Sequence, residues 1–471
     1  MALHGHTILE LTDVHTGKTE VVEKDNIITG AVQEIFTPLG LYTDGQKLLD
    51  NSSFVPITEL YGGLLLYDTA LGADPATVFA PATAQITGSG VYNVQNTTAN
   101  IVRGSYNQTE SEMDLAHGMA KFVYDFSTAQ GNGVVASVCL SSRLGGYYGE
   151  GEGISSNAQS FANTIFSTGY FLNWVNANAK LDRGNARLLE LDEEQDEILT
   201  ARLTIAANDL TVTMERYPAH LRGTDLFWER GGTKPAPNST QVITIPLPAG
   251  TKPQYYWNCN FDAERRTFYF VVKENSGYLS AGQAFTVYGI QVDTAQVTTY
   301  PMTNQTGKTL DGTNYYENLY CYAYDGRFYT GYSASGSIHY FSIKLSDPGD
   351  VRAVENFIDV YNVVDAHDGI IYLCKGYSGS SMDVRWYTLN TATMQSKRIE
   401  TGYYNDENRV VPVKGRKAVC LYCQGEYLYA GQTAYMAWRR NYLGTINDLE
   451  APVEKTADKT MKITYILRRG E

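Results

Sequence analysis

The chain has 471 residues with 43 Gly and 36 Tyr, and only 19% are charged, which suits half-buried pleated surfaces joined by tight turns and exceeds one ordinary core. The formal net charge is −14 and no Lys/Arg-rich stretch occurs, which excludes a phosphate-backbone reader, so no nucleic-acid partner is expected. Six cysteines are too few for a disulfide framework and read as reduced, buried thiols of a chain assembled in a reducing cytoplasm.

Thr7–Val14 alternates apolar and polar residues, with Leu9 and Leu11 on one face, and predicts a strand. His15-Thr16-Gly17-Lys18 reads as a turn and Thr19–Glu23 as the returning strand of a hairpin. Met1–Lys24 lacks the apolar run of a signal peptide, and no segment approaches the roughly 20 apolar residues of a membrane span, so neither is expected. Asp25 or Asn26 is expected to cap a short helix carrying Ile28, Ala31, Val32, Ile35 and Phe36, ended by Pro38 and Gly40. Leu64–Tyr67 reads as another strand, and residues 70–110 as loops and short strands. Lys121–Phe126 and Val134–Leu140 read as strands paired across Asn132-Gly133, a strong hairpin dipeptide.

Arg143–Gly153 is Gly-rich and residues 154–185 have no firm period, which places a boundary near 185. Residues 1–185 are then a β-rich anchoring domain, sandwich-like with one short helix. Beyond it a loose repeat sets in. A polar turn precedes an aromatic, β-branched strand at Asp262, at Tyr324-Asp325-Gly326-Arg327, at His367-Asp368-Gly369-Ile370 and at Gln424-Gly425-Glu426-Tyr427. The spacing of roughly 40–65 residues is near that of four-stranded propeller blades. Outgoing strands Val287–Val292, Tyr340–Leu345 and Val384–Leu389 each end in a second turn. The fold class is therefore mainly β, a sandwich-like domain followed by a propeller of about five blades over 186–450. Residues 451–471 are a closing strand that either completes the ring or returns to the N-terminal hairpin.

Three stretches carry a resemblance. They are Leu9–Lys18 with Val21-Val22-Glu23 and Asp25–Ile28, then Phe122–Phe126 through Gly131-Asn132-Gly133, then Tyr442–Leu449 with Pro452-Val453, Lys455-Thr456 and Thr460–Tyr465. Together they resemble virion structural proteins of tailed phages and prophages of Gram-positive hosts. The resemblance implies a particle protein of tail, baseplate or head-appendage type, assembled in the host cytoplasm, with other virion proteins as partners. It implies no catalytic residue and no cofactor. A symmetric homo-oligomer is expected of a protein built around a particle axis, with weak surface contacts raised by avidity.

Asp262, Asp325 and Asp368 repeat at similar blade positions; a glycosidase would aim such a pair at one pocket, but Asp before Gly is also what a tight turn selects. The aromatic groups Tyr147-Tyr148, Tyr255-Tyr256-Trp257, Tyr315-Tyr316 and Tyr403-Tyr404 are candidate ligand-facing rings, since adjacent strand residues face opposite sides and an outward ring can stack on a host-surface glycan. A glycan-binding or glycan-cleaving propeller, and a passive scaffold, are the rival readings. His4-x-His6 and the CxxC of Cys420 and Cys423 each offer two ligands where zinc takes four, so no metal is expected. Gly17-Lys18-Thr19 lacks the first glycine of a P-loop and reads as a turn. Gly-x-Ser-x-Gly is absent. The acid run Glu190–Glu197 reads as a solvated turn, and Lys414–Lys417 and Arg468-Arg469 as solvated basic faces.

Overall fold

A computed structural model describes residues 3–35, 57–143 (98, 99 and 115 apart), 145, 186–218 (207 apart), 236–247, 259–272, 279–310, 321–354 (335 and 336 apart), 362–375, 384–402, 408–424, 434–439 and 441–470. Two compact units emerge. The first comprises Met1–Leu41, Gly45–Ile154 and Trp438–Glu471; the second comprises Tyr42–Asp44 and Ser155–Ala437. Among the described residues no helix is long and apolar enough to cross a membrane.

The first unit opens with β1 (Leu3–Asp13), β2 (Thr19–Ile28), α1 (Ala31–Ile35), α2 (Ile57–Tyr61), β3 (Gly63–Tyr67) and β4 (Ile86–Val91). It continues with β5 (Ser105–Tyr106), β6 (Glu112–Asp114), β7 (Met119–Phe126) and β8 (Gly133–Ser141). The second unit holds β9 (Ala186–Asp192), β10 (Glu197–Ala206), β11 (Asp209–Pro218) and β12 (Ser239–Pro246), then β13 (Cys259–Asp262), β14 (Thr267–Val272), β15 (Ala284–Gln291) and β16 (Val297–Thr303). It runs on through β17 (Tyr322–Tyr324), β18 (Arg327–Ala334), β19 (Ser337–Lys344), β20 (Asp347–Ala353), β21 (Asn362–His367), β22 (Ile370–Lys375), β23 (Val384–Asn390) and β24 (Ser396–Gly402). Its last strands are β25 (Asn408–Val413), β26 (Arg416–Gln424) and β27 (Ala434–Trp438). The chain then returns to the first unit as β28 (Thr445–Lys455) and β29 (Lys459–Arg469).

In the first unit one sheet runs β4-β3-β8-β28-β2-β1-β29-β7-β5, with β6 on β7. The alternation that made Leu9 and Leu11 a stripe places both in the core, at 0% and 2% exposure. β29 lies between β1 and β7, so each row across the sheet joins distant parts of the chain, as in Thr7–Tyr465–Phe122. The sheet curves round so that β4, at one end, comes against β7 near the other. A Cβ on Gly90 of β4 would lie 2.6 Å from the Tyr124 ring of β7, and only glycine admits that approach. The Tyr124 hydroxyl donates to Gly62 O at 3.1 Å from the opposite half. The free ends also meet: Ser89 of β4 bridges Arg103, just before β5.

Of the two courses open to the final strand, it returns to the N-terminal hairpin. Residue 450 falls inside β28, which pairs with β2 and β8, so the expected boundary there divides a strand of the first unit. The expected β7–β8 hairpin is not formed. β7 pairs with β29, β5 and β6, while β8 pairs with β3 and β28. The loop between them crosses from one half of the sheet to the other, held by Gly131 N donating to Ile101 O at 2.7 Å and Lys455 Nζ donating to Asn132 Oδ1 at 2.7 Å. The helix cap also shifts. Asp25 and Asn26 lie within β2, and α1 begins after Thr29, whose Oγ1 accepts from Ala31 N at 3.3 Å.

The second unit is a β-propeller. Among the described residues five antiparallel meanders follow in order: β9–β12, β13–β16, β17–β20, β21–β24 and β25–β27. Their first strands are neighbours: β25 pairs in parallel with β9 at Val413–Leu191, so the first and last meanders join and the ring closes. The second blade is apolar on both faces, which follows from the sequence of β14, Thr267–Val272. Phe268, Phe270 and Val272 pack with Leu199 and Met214 of the first blade. Tyr269 and Val271, on the opposite face, pack with Phe285 and with Phe328 of the third. A third apolar layer, with Tyr324, Tyr340, Ile371 and Leu389, joins the third and fourth blades.

Candidate functional site

Within the propeller, the turns between first and second strands converge around the ring. Asp325-Gly326 and Asp368-Gly369 are two-residue turns with both residues at positive φ (48° and 74°, 50° and 75°), the primed geometry that Asp-Gly favours. In the longer turns of the first two blades, Asp192 and Asp262 each receive two backbone N–H groups on Oδ1: Glu194 and Gln195 for one, Glu264 and Arg265 for the other. The fifth turn is Lys414-Gly415, with Gly415 at φ 76°. The repeat assigned at Gln424-Gly425 is therefore out of step: Gln424 ends β26, and 425–429 lie outside the described residues.

A polar circuit links every adjacent pair of turns. Arg266 Nη1 reaches Glu190 Oε1 at 2.5 Å, joining the first two. Asp262 Oδ2 accepts Asp325 N at 3.2 Å, and Arg265 Nη2 reaches Asp325 Oδ1 at 2.7 Å, joining the second and third. Gly369 N donates to the Tyr324 hydroxyl at 3.0 Å, Lys417 Nζ to Asp368 Oδ1 at 3.2 Å, and Lys414 Nζ to Asp192 Oδ2 at 2.9 Å, completing the ring. Arg416 also pairs with Glu193. One residue crosses the ring. Glu264 of the second turn accepts from the Tyr324 hydroxyl at 2.7 Å and from Asp368 N of the fourth turn at 2.7 Å.

The expected solvated acid turn is thus buried at Glu190 and Asp192 but open at Glu194, and Lys414 and Lys417 stay exposed as expected while their ammonium groups pair with acids of other turns. Glu190 and Asp192 are each 2% exposed, and Asp262 is 1%. Burial raises the pKa of Glu190 and of Asp262. Burial would also raise Asp368, but His367 and Lys417 outweigh it and hold the carboxyl at about 2. Arg266 holds Asp293 at about 2, and Arg327 does the same for Asp350.

These three carboxyls predict acid sensitivity. Their pKa values lie below the unfolded value of 3.8, so their stabilisation is complete above that value and is lost as pH falls through about 2. The raised groups, Glu190 and Asp262, act at higher pH and with the opposite sign. Thermal unfolding is expected to move to lower temperature between about pH 4 and pH 2, and Asp293→Asn to flatten that dependence.

Chemically, the circuit is a set of charges already paired. Asp262, Asp325 and Asp368 are brought to one end of the propeller, as their repeat position implied, but each is spent on a neighbouring turn. The candidate aromatics Tyr147, Tyr148, Tyr255, Tyr256, Trp257, Tyr315, Tyr316, Tyr403 and Tyr404 all lie outside the described residues. His6 Nδ1 pairs with Asp25 Oδ1 at 2.9 Å, and Gly17 (φ 68°) forms the β1–β2 turn. Among the described residues Cys139, Cys321 and Cys420 form no disulfide. Among the described residues no group of three or more His, Cys, Asp or Glu could hold a metal ion. In the first unit an open groove of about 430 Å³ is lined by Glu10, Thr12, Asp125, Gln130, Thr460 and Lys462. Glu10, Lys462 and Asp125 stand in one row across β1, β29 and β7, and Lys462 Nζ reaches Glu110 Oε1 at 2.6 Å.

Sequence reasoning found the turn acids but missed their basic partners. The signal was Val413-Lys-Gly-Arg416, a Gly turn flanked by cations one blade round from an acid run.

No family model and no curated protein matches the chain. Similar solved structures include TolB from Acinetobacter baumannii (10% identity, covering 73% of this chain and 81% of that one, TM-score 0.27). Another is the β-propeller domain of the Trilobed protease from Pyrococcus furiosus (9%, 73% and 82%, TM-score 0.27). A third is the polysaccharide lyase Uly1 (9%, 80% and 82%, TM-score 0.28). Likenesses this faint carry no argument about activity.

Proposed function

We propose that the chain is a non-enzymatic structural component of a phage particle, held by its first unit and displaying its propeller. One observation carries the reading. The three stretches that resemble virion proteins lie far apart in sequence, yet they supply β1, β2, β7, β8, β28 and β29, neighbours in a single sheet. A resemblance scattered along the chain thus falls on one folded unit, and the propeller is an excursion between β8 and β28. The turn circuit supports a display role: it spends its acids on holding blades together, leaving presentation to the loops. Host-surface contact through those loops gains strength from copy number rather than from one deep site.

Mass spectrometry of particles purified from an induced host culture tests the assignment. The chain is expected as a stoichiometric component. Particles that are intact and lack it overturn the reading, and turnover on a glycan panel then becomes the next assay.

A further inference from the structure

The edge of β2 carries an inference that stands apart from the particle role. On one side β2 is fully paired with β1, from Thr19 to Asn26. On the other, among the described residues, only Ile27 and Ile28 are paired, with β28. The chain turns from β1 to β2 with Asp13 N donating to Lys18 O at 3.0 Å. Antiparallel pairs alternate between hydrogen-bonded and not, so Glu20, Val22 and Lys24 point their backbone groups at β1. Thr19, Val21, Glu23 and Asp25 therefore point theirs outward. The Thr29 N donation to Gly444 O at 3.1 Å, on the same odd-numbered side, fits that phase. Val21 is 51% exposed, and the side chains of Glu23 and Asp25 are 57% and 94% exposed. No proline or bulge interrupts this run, and such an edge is a template for another strand.

We propose that this edge pairs with the same edge of a second copy, antiparallel about a twofold axis at Val22. The sequence Thr19-Glu-Val-Val-Glu-Lys-Asp25 is self-complementary in that register alone. Val22 meets Val22, and Glu20 meets Lys24 twice, all at non-hydrogen-bonded positions where side chains approach most closely. A twofold at Val21 sets Lys18 against Lys24, and one at Glu23 sets Glu23 against itself; both are repulsive. Lys24 also donates to Asp448 O at 2.7 Å, which anchors its stem beside the edge. An isologous contact of this kind closes after two copies and does not propagate.

The test uses the full chain in sedimentation equilibrium, alongside oxidative crosslinking of Val22→Cys. The wild type is expected to dimerise. Glu20→Lys is expected to weaken the dimer roughly tenfold or more, since it places like charges opposite one another twice. The charge swap Glu20→Lys with Lys24→Glu is expected to restore it. Val21→Pro removes an outward N–H without touching the β1 ladder and is expected to abolish it. Val22→Cys is expected to give a covalent dimer that the wild type does not give under the same oxidation, since facing non-hydrogen-bonded positions meet disulfide geometry. A chain that stays monomeric at every soluble concentration overturns the proposal. So does a dimer that survives Val21→Pro and yields no Val22→Cys crosslink, because that dimer uses another surface. Neither result bears on whether the chain is found in particles.

Discussion

Replacing Tyr465 by alanine is expected to destabilise the first unit by about 3–5 kcal/mol, as large aromatic deletions in cores do. The residue is fully buried in β29, between Thr7 of β1 and Phe122 of β7. Its hydroxyl donates to Thr445 Oγ1 at 2.5 Å, and that oxygen also accepts Leu140 N at 2.9 Å. One side chain thus ties together β29, β28 and β8, strands more than 300 residues apart in sequence at Thr445 and Leu140. The alanine variant leaves a cavity and removes the Thr445 partner; Tyr465→Phe removes only the hydrogen bond and is expected to cost about 1 kcal/mol. Chemical denaturation followed by fluorescence checks both. Equal, small effects in the two variants would mean that the C-terminal strands are not integral to this unit.

For the propeller, Asp262→Ala is expected to cost about 3 kcal/mol. The carboxylate is buried and accepts three backbone N–H groups, two in its own turn and Asp325 N in the next blade. Removing it leaves those donors without their acceptor, at roughly 1–3 kcal/mol for each one that water cannot reach. Asp262→Asn keeps an acceptor oxygen and is expected to cost about 1 kcal/mol. The asymmetry separates scaffold from catalyst. A catalytic carboxylate loses function in the asparagine variant while the fold stands; a structural one follows hydrogen-bond count. Thermal and denaturant unfolding of the pair measures it.

The strands were legible wherever alternation was local. Leu9 and Leu11, the Phe268–Val272 run and the Asp-Gly turns at 325 and 368 all read correctly because their signal lies within a few residues. What failed was partner choice. Asn132-Gly133 carries a strong hairpin signal, yet Ile101 and Lys455 hold the loop in a crossing path. Nothing near residue 132 encodes residue 455. The same holds for Glu190 and Asp192, which look like solvent-facing acids until Arg266 and Lys414 arrive from other blades. The cap of α1 was misplaced because Asp25 and Asn26 have strong capping side chains, while the tertiary ladder of β1 extends β2 through both.

Labelling intact particles with two antibodies, one raised to the propeller and one to the first unit, tests most directly that the first unit anchors and the propeller displays. The account predicts propeller label on intact particles, with first-unit label emerging only after disruption. First-unit label on intact particles with the propeller hidden would contradict it.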